Sequence, residues 1–224
     1  MFKIQLFLLL AALGTAALPA QTPPSIQASG TATINVQPDQ ASLNVGVVTQ
    51  AATAQAAAEQ NATAANAMIT ALKSVLGNNG TIKTIYYSIS PRYNNAQPAA
   101  IVGYQASNTV QVITNNINLV GPLIDSGNQA GANSISGPTF GLQDPETPLQ
   151  QALGMATKQA VAHAAAIASG LGGKLGGVIS AQESGGMTPL VGVALGAGGA
   201  ASTPILNGTV GVTANVSVTM AFSQ

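Results

Sequence analysis

Few side chains in this sequence are suited to acid–base or metal chemistry. Its 224 residues include one histidine, six carboxylates, no cysteine and no tryptophan. Histidine is the residue type that most often exchanges a proton near neutral pH. His163, however, stands among alanines in a helical pattern, and one histidine cannot supply the ligand set that a metal needs. We therefore predict a structural or surface role for His163.

Two carboxylates, Asp144 and Glu146, lie two residues apart just before a predicted helix. Such a pair could bind a cation or act as acid and base. Negative groups at the start of a helix also complement the partial positive charge of its N-terminus, and we favour this second interpretation. The scarcity of reactive side chains predicts a protein that is not an enzyme, and we expect no catalytic residue, metal or cofactor.

Three tyrosines and the single arginine cluster near one end of a predicted strand, as Tyr86, Tyr87, Arg92 and Tyr93. Aromatic residues and arginine are common in surfaces that bind a ligand or a protein. Tyrosines that are half-buried in a strand, with the hydroxyl in water, give the same pattern. We treat these four residues as a candidate interaction surface and keep the alternative open.

A second candidate surface lies in residues 184–203, a stretch rich in glycine and alanine without clear periodicity. Its larger apolar members are Met187, Leu190, Val191, Val193 and Leu195. If they are exposed, they form a patch for a partner protein, another subunit or a membrane surface. If they fold back, they cover an edge of the sheet. Both interpretations stay open.

The formal net charge is zero, with six basic and six acidic residues. We expect no nucleic-acid partner, because recognition of nucleic acid needs a basic surface. Little charge repulsion opposes contact between copies, so we expect a homo-oligomer. An envelope protein or a membrane surface is the other partner that this composition allows.

The first twenty residues have the pattern of a secretory signal peptide. Lys3 precedes an apolar run at residues 4–13, and small residues follow up to Ala20. The run is too short for a membrane-spanning helix. We expect cleavage after Ala20 and a periplasmic or secreted chain that is soluble or peripherally associated. Without cysteine, an ordinary core rather than disulfides must hold this chain together.

Apolar and polar residues alternate over 26–37 and again over 43–47. A period of two with polar partners predicts strands that are buried on one face. Pro38 and Asp39 lie in the short connection between the two stretches. A connection of this length predicts that the strands pair as an antiparallel hairpin.

The period changes to 3.6 over residues 51–76, which predicts an amphipathic helix. Alanine favours a helix, and its small side chain allows close approach to a sheet. Gly77 ends the pattern. The predicted buried face consists of Ala58, Ala62, Ala65, Ile69, Leu72 and Leu76.

The apolar and polar patterns in the rest of the chain complete the prediction of an α+β protein. Two more helices are expected at 119–130 and 147–169, the second with Thr147 as its capping residue. The element order ββαββ-αβαββ predicts a largely antiparallel sheet with Ala-rich helices packed on one face. We expect residues 21–224 to form a single domain, or alternatively two lobes at about 25–115 and 116–224. Further strands are predicted at 82–91, 102–114, 134–142, 178–183 and 210–222.

Several separated stretches share one family pattern: Gly30-Thr31-Ala32, Pro38-Asp39-Gln40-Ala41, Ser90-Pro91-Arg92-Tyr93, Gly103-Tyr104-Gln105-Ala106-Ser107 and the alanines Ala152, Ala156, Ala160 and Ala164. Together they resemble the SIMPL-domain family of exported bacterial proteins, which includes periplasmic immunogenic and oxidative-stress-linked members. The resemblance covers about residues 25–222 and departs at residues 207–209, Asn-Gly-Thr, where the family often carries Pro-Gly-Glu. It implies an exported α+β protein, and it implies no catalytic residue.

These observations predict an exported, non-enzymatic SIMPL-type protein that self-associates and has a scaffold or envelope/oxidative-stress role. The first alternative is an outer-membrane-associated or channel-like assembly, which long alternating strands would allow. The second alternative is a small hydrolase of unknown substrate. A hydrolase would need His163, Asp144 and Glu146 to converge on one site.

Overall fold

The structure is a computed structural model that describes residues 23–96, 98–188, 203, 205 and 207–224. The predicted signal peptide at residues 1–20 lies outside the described residues. So do four members of the predicted apolar loop surface, Leu190, Val191, Val193 and Leu195. For the fifth member, Met187, only the backbone is described.

The described residues form seven strands, three α-helices and one short 3-10 helix, Ile117–Leu119. The helices are α1 (Ala54–Leu76), α2 (Val120–Gln129) and α3 (Glu146–Gly170). The strands are β1 (Ser25–Val36), β2 (Gln40–Ala51), β3 (Gly80–Tyr93), β4 (Ile101–Thr114), β5 (Ser134–Gly141), β6 (Lys174–Thr188) and β7 (Val210–Ser223).

The strands form two sheets, one of three strands in the order β1-β7-β6 and one of four in the order β3-β4-β2-β5. Every pairing in both sheets is antiparallel. Helix α3 packs on the three-stranded sheet, whereas α1 and α2 pack on the four-stranded sheet. The predicted α+β class with antiparallel pairing is therefore confirmed.

The predicted hairpin between the first two strands is wrong, because β1 and β2 belong to different sheets. Strand β1 pairs with β7 along its whole length, from Ser25 opposite Ala221 to Val36 opposite Val210. Strand β7 has 14 residues and β1 has 12, and both alternate apolar and polar residues, so β1 forms a complete ladder with a strand that is distant in sequence. A short connection brings two strand ends together but does not oblige the strands to pair.

The three-stranded sheet packs against a row of alanines on α3. These buried residues recur every four positions, as Ala152, Ala156, Ala160, Ala164 and Ala168. They form one core with Ile26, Ala214, Val216, Val218 and Met220. Because the alanine side chain is short, the helix lies very close to β1. A Cβ atom added at Gly30 would come within 2.6 Å of the Ala160 backbone nitrogen.

The four-stranded sheet has a separate core beneath α1 and α2. The buried face of α1 consists of Ala57, Asn61, Ala65, Met68, Leu72 and Leu76. Of the other predicted positions, Ala62 is exposed and Ala58 is half-buried, whereas Ile69 is half-buried and packs against this core. Alanines on several sides of the helix gave little contrast in hydrophobicity, and the larger Met68 and the hydrogen bonds of Asn61 determine which face turns inward.

The four-stranded sheet and its helices come from one continuous segment, residues 40–141, which is inserted between β1 and α3. Asp39 ties the ends of this segment together. Its backbone N–H donates to the Gly141 carbonyl at 3.2 Å, and its Oδ1 accepts from the Gln143 N–H at 2.7 Å. We call Asp39, Gly141 and Gln143 the neck. Each sheet takes strands from both sides of residue 115, and the single-domain or two-lobe organisation stays a prediction.

Candidate functional site

The residues that could do acid–base chemistry lie far apart. His163 and Asp144 are separated by 19 positions along and just before α3, or about 28 Å at 1.5 Å per residue. In the part of the chain that the structure describes, no group of three His, Cys, Asp or Glu side chains is placed to hold a metal ion. The convergence of His163, Asp144 and Glu146 that a hydrolase would require is not observed.

His163 contacts the backbone of β1. Its Nδ1 lies 2.8 Å from the Ser29 carbonyl oxygen, which can only accept, so Nδ1 must carry the proton. One turn earlier on the same helix, Gln159 Oε1 accepts from the Thr31 N–H at 2.7 Å. Strand β1 is an edge strand, and these two side chains satisfy backbone groups that would otherwise be open to another strand.

Asp144 caps the start of α3. Its Oδ1 accepts from the backbone N–H groups of Glu146 and Thr147, and its Oδ2 accepts from the Thr147 hydroxyl. The hydroxyl of Thr147 holds the pKa of Asp144 below its ordinary value, and the backbone bonds from Thr147 and Glu146 add to this effect. The predicted capping role of Thr147 is therefore wrong, because Thr147 donates to the actual cap.

The tyrosine cluster lies on β3, at an edge of the four-stranded sheet. Tyr86, Tyr87 and Tyr93 are 54%, 55% and 58% exposed. More than half of each of these side chains is therefore accessible to solvent. Arg92 is also exposed and lies opposite Gly103 of β4.

Other large apolar side chains are exposed on β3 and on its neighbour β4. We call this surface the aromatic hairpin, and it consists of Ile85, Tyr86, Tyr87, Ile89, Tyr93, Ile101 and Val102. Adjacent residues of a strand point to opposite faces, so Tyr86 and Tyr87 carry the surface to both faces of the hairpin. The sequence indicated the tyrosines but not the isoleucines, because isoleucine in a strand normally indicates a core position.

Strand β6 is the edge of the other sheet and is longer than the predicted 178–183. Its apolar residues Val178 and Ile179 are 60% and 52% exposed. The sequence predicted only a short strand at 178–183 and did not indicate that these side chains are exposed. Met187, from the predicted loop surface, falls in the last part of β6.

A polar cavity of about 500 Å³ lies beside the neck, between the connection that follows β1, the start of α2 and residues that lead into β7. We call it the neck pocket. Its lining residues are Pro38, Asp39, Asn115, Asn116, Ile117, Asn118, Gly121, Pro122, Thr203, Ile205 and Asn207. The asparagines at 115, 116 and 118, directly after a predicted strand, were the signal in the sequence that could have indicated it.

The fold and these surfaces define a two-sheet α+β protein with an exposed aromatic hairpin and a polar pocket at its neck. The family model for SIMPL, described as a protein of unknown function (DUF541), matches residues 26–220. The chain belongs to this family, and the resemblance inferred from its residues is confirmed.

Two groups of relatives illustrate the similarity. The chain is 28% identical over 167 residues to the 26 kDa periplasmic immunogenic protein of Brucella melitensis, covering 72% of this chain and 67% of that protein. It is also 28% identical over 186 residues to the uncharacterized protein YggE of Escherichia coli strain K12, covering 80% of this chain and 76% of that protein. A YggE protein of Edwardsiella ictaluri is similar at 28% identity over 165 residues.

Among the described residues, none of the helices combines the length and the apolar character that a membrane span requires.

Proposed function

We propose that this SIMPL-family protein is exported to the periplasm and self-associates there, working without catalysis as a scaffold in envelope or oxidative stress. The observation that carries the proposal is the aromatic hairpin, whose seven large apolar side chains are each at least 41% exposed. A group of large apolar side chains exposed together on one hairpin is typical of a contact site. Tyrosine in particular contributes strongly to protein interfaces.

The position of the hairpin at a sheet edge supports a contact between copies. Edge strands carry backbone N–H and C=O groups that can pair with another strand. Among the described strands, β1 has its edge bonded by Gln159 and His163 of α3, and β5 is short and contains Pro138. The two longer edge strands are β3, with 14 residues, and β6, with 15, and neither has an outer neighbouring strand in the described chain. Strand β3 carries more exposed large apolar side chains than β6 among the described residues, so we place the contact there.

The charge of the chain also favours self-association. Six basic and six acidic residues give a formal net charge of zero, so little long-range repulsion opposes contact between copies. The positive side chains on β3, Lys83 and Arg92, are the principal charges that an interface there would have to accommodate.

The proposal that the protein is not an enzyme is supported by the separation of its reactive groups. His163 contacts the β1 backbone and Asp144 caps α3, so both have structural partners. The relatives named above are described as immunogenic or uncharacterized, and neither description includes a reaction. An enzymatic activity that His163→Ala or Asp144→Ala abolishes without unfolding the protein would contradict this part of the proposal.

The periplasmic location is supported by the name of the Brucella relative and by the predicted signal peptide. The stress role is supported by the family resemblance.

Light scattering coupled to size-exclusion chromatography tests the self-association of the chain from Gln21 onward. We expect one discrete oligomer at micromolar concentration, and we expect Tyr86→Ser/Tyr87→Ser to shift it toward the monomer. The matched control is Met155→Ser on α3, a side chain that is also 54% exposed but lies away from the hairpin. A wild-type chain that stays monomeric, or a double variant that assembles as the wild type does, would count against the proposal.

A further inference from the structure

The geometry points to a binding site for a neutral, hydroxyl-rich ligand, such as a sugar or the end of a glycan, in the neck pocket. The cavity, at about 500 Å³, is within the range of small-molecule sites, roughly 300–1,000 Å³. It is independent of the aromatic hairpin, so this inference does not rest on the proposed self-association.

The pocket presents both hydrogen-bond donors and acceptors that the described residues leave unused. Asn115 Oδ1 accepts from Gln40 and Asn116 Oδ1 accepts from the Asn118 N–H, which leaves the two Nδ2 groups available. The side-chain amide of Asn118 makes no hydrogen bond to another described residue, and the same holds for Asn207.

A carboxylate supplies the strongest acceptor in the pocket. Asp39 uses Oδ1 to accept from the Gln143 N–H, which holds the side chain in place at the neck. Its Oδ2 has no partner among the described residues. A carboxylate oxygen beside amide groups is well suited to ligand hydroxyls, because a hydroxyl both donates to the carboxylate and accepts from an amide.

The charge of the lining excludes other common ligand classes. Among the described lining residues there is no arginine, lysine or histidine, so these residues offer a phosphate or carboxylate ligand no positive partner, and Asp39 would repel it. A divalent cation would find one carboxylate, fewer than the several negative ligands that tight calcium sites use. A neutral ligand is therefore favoured.

The apolar lining residues suit the carbon skeleton of such a ligand. Pro38, Ile117, Pro122 and Ile205 lie among the polar groups of the pocket. A sugar ring has hydroxyls at its edge and C–H groups on its faces, so it can contact both kinds of residue at once. A purely apolar ligand would leave the asparagines and Asp39 desolvated without partners, which is costly.

The pocket is lined both by the inserted segment and by residues that belong with the three-stranded sheet. Asn116 and Pro122 belong to the inserted segment, whereas Ile205 and Asn207 lead into β7 of the three-stranded sheet. Asp125 of α2 already links these parts, because its carboxylate accepts from the N–H and the hydroxyl of Thr203. A ligand in the pocket would add contacts between the same parts.

An NMR titration of the full chain from Gln21 onward tests the site. The probes are D-glucose, maltose and N-acetylglucosamine, each added to about 50 mM, which detects dissociation constants in the millimolar range. We expect at least one of them to shift the side-chain amide signals of Asn116, Asn118 and Asn207 in a saturable manner. Inorganic phosphate and Ca²⁺ serve as charged probes and should leave these signals unchanged.

Asn118→Ala is the test variant, because Asn118 is exposed and its side chain bonds to no other described residue, so its loss leaves the fold intact. It should weaken binding of the responding sugar at least tenfold. Asn66→Ala changes another exposed asparagine, on α1, and is the matched control that should bind as the wild type does. The inference is overturned if no sugar gives saturable shifts, if phosphate or Ca²⁺ alone shifts the pocket amides, or if Asn118→Ala binds normally.

Discussion

Single residues determine how closely the helices approach the sheets. Gly30 of β1 lies under α3, where an added Cβ would meet the Ala156 carbonyl oxygen and the Ala160 nitrogen. Both atoms belong to the helix backbone and cannot rotate away. Asn61 of α1 holds its helix close to the four-stranded sheet. Its side-chain amide donates to the Val47 and Ala106 carbonyls at 2.9 and 3.1 Å.

Replacement of Gly30 by alanine should destabilise the protein by about 3 kcal/mol, because the helix and the strand must move apart and the alanine row loses its contacts. Chemical denaturation of the two proteins measures this difference. Gly154→Ala is the control, since a Cβ at Gly154 of α3 has no atom within 4 Å. It should stabilise the protein by up to about 1 kcal/mol through helix propensity. Equal stability of Gly30→Ala and the wild type would refute the close-contact account.

At the scale of elements, capping residues and periodicity determine where the helices begin and which face they bury. The position of a strand in a sheet depends on the strand with which it pairs. The alternation in β1 and β7 was readable from sequence, and so was the four-residue repeat of alanines on α3. The rotation of α1 was not, because alanine is common on both its buried and its exposed sides. The start of α3 was predicted to within one residue, but the capping side chain proved to be Asp144.

Asp144→Ala should lower stability at neutral pH and have less effect in acid. A carboxyl group whose pKa is lower in the folded state stabilises that state above its unfolded pKa, about 3.9. This contribution disappears as the pH falls through the lowered folded pKa. Thermal melts of Asp144→Ala and the wild type between pH 7 and pH 2 measure the effect. The difference between their melting temperatures should become smaller as the pH falls.

Glu59→Ala provides the comparison for this experiment, because Glu59 is an exposed carboxylate within α1 that caps no helix. The difference in melting temperature between Glu59→Ala and the wild type should change little over the same pH range. A constant difference between Asp144→Ala and the wild type across the whole range would show that the charge of Asp144 does not matter to the cap.

On the scale of the whole molecule, the fold is a three-stranded body interrupted by a four-stranded one. Residues 40–141 supply the second sheet together with its own core, which includes Leu43, Met68, Leu72 and Val112. The ends of this insertion meet at Asp39 and Gln143. Closely spaced ends allow a segment to be inserted into another fold without disturbing it.

A fragment of residues 39–143 should therefore fold on its own. It retains four paired strands, two helices and the hydrogen bonds of the neck, and about 100 residues can bury an adequate core. We expect cooperative thermal unfolding by circular dichroism and well-dispersed amide signals by NMR. The same fragment with Leu72→Ala should lose about 2–5 kcal/mol, because Leu72 is fully buried. A fragment without cooperative unfolding would mean that this core depends on the three-stranded sheet.

The sequence by itself determined most of the elements and the α+β class, because periodicity and local propensity act over a few residues at a time. It also showed the family, as a resemblance in several separated motifs. The tyrosines of the aromatic hairpin were also visible in it, although their function was not. Only the tertiary structure decided that β1 pairs with β7 instead of β2, since a ladder between residues about 190 apart depends on a match between whole strands. It also decided that Pro38, the asparagines after β4 and Asn207 line one pocket, because residues this far apart meet only when the neck closes.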